Sequence, residues 1–232
     1  MSEIEEKKEL RRAFCSAILL VVLMWVVQVV NVAFSLRLQR YGLSPHELHG
    51  LLGILTMPFL HEGWGHLLTN TAPMWILSFG LFLFYHQKGW ILLLYLYLIS
   101  GLFTWCIGRV PSIHIGASGL IYALAAFHFV TGLMKKEVRQ MAFALLVAFL
   151  YGGFVWAFFP TLFKNTSISW EGHLSGLLAG IVIAVYARSW GPQPPPDPFL
   201  DEVDEEDGDE EEAYWQIPDE NTDLKPDSPD KP

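Results

Sequence analysis

Six long apolar stretches dominate this chain, and they leave few folds open to it. They cover residues 14–34, 66–85, 90–107, 118–134, 141–160 and 170–190, and none contains Asp or Lys. The formal charges inside them, Glu171 and Arg188, lie within three residues of an end. About 20 apolar residues at ~1.5 Å rise cross a hydrocarbon core of about 30 Å. A helix is the natural form for such a segment, because it satisfies its own backbone hydrogen bonds where water is absent. The composition agrees: 52% of the residues are hydrophobic and 17% charged, against roughly 25% charged in a soluble domain. The expected fold class is an all-α integral membrane protein, a bundle of six transmembrane helices.

Charge divides the chain. From Asp197 onward 16 acidic residues face two Lys, whereas the preceding residues carry 8 acidic and 13 basic side chains. The expected organisation is an N-terminal segment (1–13), a membrane domain (14–190) with its first loop at 35–65, and a disordered acidic tail (191–232). That tail is too acidic and Pro-rich to bury a core; its apolar island at 213–217 could dock on an unknown cytoplasmic partner. Within the first loop, residues 51–60 are apolar but too short to span, and are expected to rest in the membrane interface. No basic run is interleaved with aromatics, which argues against nucleic acid as a partner.

An even number of spans puts both termini on one side. Lys7, Lys8, Arg11, Arg12, Lys88, Lys135, Lys136, Arg139 and Arg188 would share that side, against Arg37, Arg40, Arg109 and Lys164 on the other. The excess predicts that both termini are cytoplasmic. The first span is expected to be retained: no small-residue cleavage site follows it, and Glu3, Glu5, Glu6 and Glu9 do not suit a mitochondrial presequence. A bacterial inner membrane is the expected location. Cys15 and Cys106 fall at opposite ends of their spans, beyond the ~7 Å reach of a disulfide.

Polar residues in spans are costly and are candidates for function. His61-Glu-Gly-Trp-Gly-His66 invites a zinc reading, but a helical zinc-protease motif needs two His four residues apart on one face; here the interval is five, with Gly63 and Gly65 between. No metal or cofactor is expected. His66 and Asn70 do share a face, and two neutral donors there can hold an oxyanion. Ser118 opens the fourth stretch inside Gly116-Ala-Ser118-Gly119, a small-residue pattern that alone signals close helix packing. Gly172, Gly176 and Gly180 form a groove of the same kind, with His173 one step from it. Tyr122 stands one turn beyond Ser118.

The charge-derived topology places His66, Asn70, Ser118 and His173 at the outer ends of the second, fourth and sixth spans. A serine hydroxyl needs a general base about 2.6–3.2 Å away, and the glycine groove allows the close approach. Glu171 lies roughly 200° around the helix from His173, so a Ser118–His173 dyad is expected rather than a triad.

The ordered set resembles the rhomboid family of intramembrane serine proteases: His66-x-x-x-Asn70, Gly116-Ala-Ser118-Gly119 and His173-x-x-Gly176-x-x-x-Gly180. His61 and Tyr122 also stand where members of that family carry His and Tyr. The resemblance implies a six-helix rhomboid-like bundle with Ser118 as nucleophile and His173 as general base. It implies an oxyanion hole from His66, Asn70 and the Ser118 N–H, and Tyr122 packed on the His173 ring. Gly116 and His61 would support the site. Substrates would be transmembrane segments of other proteins, admitted between spans two and five. Many rhomboids carry a Trp-Arg pair in the first loop; here that stretch reads Gly50-Leu-Leu-Gly-Ile54, so anchoring by Trp64 or by interfacial insertion of 51–60 is expected instead. Two other readings compete: a catalytically silent relative that binds membrane clients, and a metal-binding or transport protein using His61, His66, His114 and His173. The latter lacks intramembrane carboxylates and an evident inverted repeat.

Overall fold

The structure, a computed structural model, describes residues 3–136, 138–150 and 170–191. Among them the regular elements are helical, with one isolated antiparallel bridge between Leu43 and His114. The long helices are α1 (Glu3–Ala33), α2 (Trp64–Tyr85), α3 (Gly89–Ile107), α4 (Ser118–Met134), α5 (Val138–Leu150) and α6 (Trp170–Tyr186). They belong to one compact unit, Met1–Pro194. The acidic tail, Lys164 and the second half of the fifth apolar stretch lie outside the described residues.

Helix α1 starts eleven residues before the apolar stretch that predicted it. Residues 3–13 are Glu, Lys, Arg, Leu and Ala with a single Ile, mostly strong helix formers. Glu3, Glu5 and Glu6 sit in the first turn, at the positive end of the helix dipole. Helix α2 ends at His86, whose φ of 31° breaks the hydrogen-bond ladder, and a 3₁₀ turn over His86–Lys88 leads into α3. The two helical stretches Glu3–Ala33 and Trp64–Ile107 are long and apolar enough to cross a bilayer; Ser118–Met134 and Trp170–Tyr186 are shorter apolar helices.

The bundle exposes many large apolar side chains around an interior that is mainly apolar but holds scattered polar groups. Helix α1 turns Ala13, Ala17, Met24, Gln28 and Asn31 inward while Leu19, Val22, Val26 and Val29 face out. Ser78, Ser100, Thr104, His128, Thr131 and Ser175 are buried as well. Among them, Thr104 donates its hydroxyl to the Ser100 carbonyl (2.8 Å) and Ser78 to the Met74 carbonyl (2.5 Å), each one turn back. An exterior rich in apolar side chains over an interior that buries its polar ones suits lipid as outer solvent.

Helix α4 is the centre. It packs against α2, α3, α5 and α6, most extensively against α6, and is buried nearly all round, as its unbroken apolarity requires. Its one histidine, His128, is fully buried, with Nε2 2.9 Å from the Leu77 carbonyl of α2. The closeness of α4 and α6 follows from glycine. A Cβ on Gly176 would strike the Gly119 carbonyl and one on Gly180 the Ala123 carbonyl, while a Cβ on Gly119 would stand 3.2 Å from the Gly172 oxygen. The two backbones touch because no side chain intervenes.

The first loop is held mainly by hydrogen bonds to α3 and to the segment before α4. Tyr97 donates to the Leu55 carbonyl (2.5 Å) and the Trp105 indole to the Glu47 carbonyl (3.0 Å). His46 Nε2 lies 2.8 Å from the Cys106 carbonyl, and Gly116 N–H donates to Met57 O at 2.8 Å. Trp64 packs instead on Trp25 of α1, with ring centroids 5.9 Å apart. The expected anchor at Trp64 is thus a link between α1 and α2, and the loop is tied by Tyr97 and Trp105, which the apolar pattern of α3 conceals.

Candidate active site

Ser118 is the first residue of α4, so its N–H has no acceptor within the helix. Gly116, two residues earlier, has φ +106°, a region that only glycine enters readily. A Cβ there would come within 2.7 Å of His66 Cε1 and Nε2 and 3.7 Å of Asn70 Nδ2. The first turns of α2 therefore rest on the turn that presents Ser118. Asn70 is buried, and its amide Nδ2 meets no acceptor among the described residues.

His173 lies in the first turn of α6. Its Nε2 is 3.0 Å from Ser118 Oγ. The Tyr122 ring stacks on the imidazole with centroids 4.3 Å apart and planes 17° from parallel. Two long helices thus bring together groups 55 positions apart in sequence, and the glycine contacts fix their separation. His173 is itself buried. Glu171, two residues before it, directs its carboxylate to Arg109 Nε at 3.2 Å.

His61 precedes α2 and is 1% exposed. Its ring meets His66 edge-on, centroids 5.1 Å apart. Burial, reinforced by His66 and opposed by the nearby Phe59 backbone, lowers its pKa to about 4, so it buttresses His66 as a neutral ring. His114 stands apart from the His61–His66 pair: its backbone forms the bridge to Leu43, its Nε2 is 2.9 Å from Ser112 Oγ, and burial lowers its pKa. Among the described residues no three potential ligands gather as a metal site would need.

Sequence reasoning missed several contributors. Arg109 entered only as a loop charge, and Tyr97, Trp105 and His128, lying within apolar runs, were not singled out. A histidine in an apolar run is a legible signal; the partner of an arginine in a loop is not.

The arrangement is a hydroxyl–imidazole contact, an aromatic ring stacked on the imidazole, and a buried amide donor beside the turn that presents Ser118. A rhomboid-domain family model matches residues 48–190, a span that holds all these groups. An uncharacterized protein of Mycobacterium bovis is 37% identical over 169 residues, covering 71% of this chain and 70% of its own. One from Mycobacterium tuberculosis matches to the same extent, and one from Mycobacterium leprae is 32% identical over 70% of this chain and 66% of its own. With a domain match over more than half its length and relatives of this similarity, the chain belongs to the rhomboid family, whose members are membrane proteins.

Proposed function

We propose that this protein is an intramembrane serine protease that hydrolyses peptide bonds in or near the transmembrane segments of other proteins. The observation that carries the reading is the 3.0 Å contact between Ser118 Oγ and His173 Nε2 under the Tyr122 ring. With its proton on Nδ1, His173 accepts the Ser118 proton at Nε2 as Oγ attacks the scissile carbonyl. Negative charge then develops on the carbonyl oxygen. The Ser118 N–H, Asn70 Nδ2 and His66 are the donors positioned around that turn to stabilise it. Collapse of the intermediate breaks the C–N bond, and His173 returns the proton to the leaving amine. Water, deprotonated by the same imidazole, hydrolyses the acyl-enzyme and regenerates Ser118.

In this reading all six helices span a bacterial inner membrane, with both termini cytoplasmic and the site near the outer face. The lipid bilayer is the surrounding partner, and substrates enter between α2 and α5. The acidic tail is dispensable for cleavage: removal of everything after Gly191 leaves proteolysis intact. A fluorophosphonate probe and co-expression with tagged single-pass proteins test the proposal. Ser118 is labelled and a cleavage product appears, and both are lost in Ser118→Ala. A correctly inserted wild type that neither labels nor cleaves would instead be a catalytically silent relative that binds membrane clients.

A further inference from the structure

Glu171 is a buried carboxylate without an evident structural need. Its side chain is 3% exposed, and its Oε2 meets no partner among the described residues. Its Oε1 faces Arg109, a side chain 46% exposed. Burying an anion against a half-solvated partner is a weak source of stability, because desolvation offsets much of the attraction. The pair's value lies in what it joins. Arg109 belongs to the segment that ends at Ser118, while Glu171 stands in the first turn of α6, two residues before His173. The segment is braced internally: Ser112 Oγ donates to the Arg109 carbonyl (2.5 Å) and lies 2.9 Å from His114 Nε2. His114, within electrostatic reach of both charges, is bridged by its backbone to Leu43. On the helix side, Ser175 Oγ donates to the Glu171 carbonyl at 2.7 Å.

We infer that Arg109 and Glu171 are a positioning pair, which ties the nucleophile's loop to the base's helix and holds Ser118 and His173 in register. The inference rests on the proposed protease reading for its catalytic consequence, though not for its structural one. Neither residue touches the reacting atoms; the pair acts through the loop. A displacement of about 1 Å at a catalytic centre lowers turnover by roughly 10²-fold, so a loosened clamp shows in kcat while KM changes little.

The test uses the full chain in lipid bicelles with Glu171→Gln, Arg109→Gln, their combination and Arg109→Lys. Amide hydrogen exchange reads the clamp without turnover. Exchange over residues 108–117 rises in both neutral variants, the double variant is no worse than either single one, and Arg109→Lys restores most of the protection. Cleavage kinetics then show kcat lowered by about 10- to 100-fold with KM little changed. Wild-type exchange and kcat in Glu171→Gln, additive losses in the double variant, or a uniform rise of exchange across α4 and α6 with early thermal unfolding would each overturn the inference. Equal cleavage by wild type and Ser118→Ala would sink the protease reading alone, and the exchange measurement would still decide the pair.

Discussion

The two ends of α4 place polar groups in an apolar bundle in different arrangements. At the far end, away from Ser118, Gln140 Oε1 of α5 accepts from Thr131 Oγ1 (2.7 Å) and Tyr85 OH (3.1 Å). Lys135 donates to the Trp190 carbonyl, and Lys88 stands 4.3 Å over the Trp190 ring. Polarity there is spent on joining α2, α4, α5 and the chain beyond α6. At the Ser118 end a hydroxyl meets an imidazole, and the Asn70 amide keeps protons that no described acceptor takes. A buried hydrogen bond between complementary groups rigidifies. A buried donor left unsatisfied is costly, and among the described residues each end carries one, Asn70 Nδ2 here and Gln140 Nε2 there. One helix thus carries a hydrogen-bonded seam between helices at one end and the hydroxyl–imidazole contact of the candidate site at the other.

The largest expected effect is at Ser118. Ser118→Ala removes cleavage by about 10⁴-fold or more and leaves thermal unfolding unchanged, as assays on wild type and variant in the same bicelles will show. Next, Asn70→Ala lowers kcat by roughly 10²-fold or more, with little change in unfolding; unaltered kcat would mean the amide is structural. Gly176→Val drives a branched side chain onto the Gly119 carbonyl and separates α4 from α6. It costs about 1–3 kcal/mol of stability and slows fluorophosphonate labelling at Ser118. At the opposite end, Gln140→Leu takes the acceptor from Tyr85 and Thr131. A loss of about 1–3 kcal/mol in unfolding with labelling preserved sharpens the contrast, and lost labelling with stability intact breaks it.

The smallest effect is with pH. His61 has its folded pKa lowered to about 4, and His114 is shifted in the same direction by burial. The unfolded loop then binds more protons than the folded one between about pH 6.5 and 4. The stability these rings contribute is present above about 6.5 and is lost as pH falls toward 4. Protection factors over the first loop and residues 108–117, taken relative to the intrinsic exchange rate at each pH, should fall as pH drops through that window.

Much of this could be read from the linear chain. Apolar run lengths specify helices, since a backbone in lipid has few other ways to satisfy its hydrogen bonds. The start of α4 at Ser118 was expected to the residue, because Gly116 and the irregular residues before it cannot continue a helix. The early start of α1 was missed: its polar turns hold helical propensity without apolar periodicity. The candidate site was visible as residue types at matching depths, and the glycine spacing implied the close approach.

Tertiary structure alone settled the pairings. That Ser118 and His173 stand 3.0 Å apart, that Glu171 turns to Arg109, and that Trp105 and Tyr97 grip the first loop depend on the rotation of each helix about its axis. That rotation is set by packing against all neighbours at once. Composition and spacing determine which segments become helices and which residues share a face; contacts between segments distant in sequence determine which faces meet.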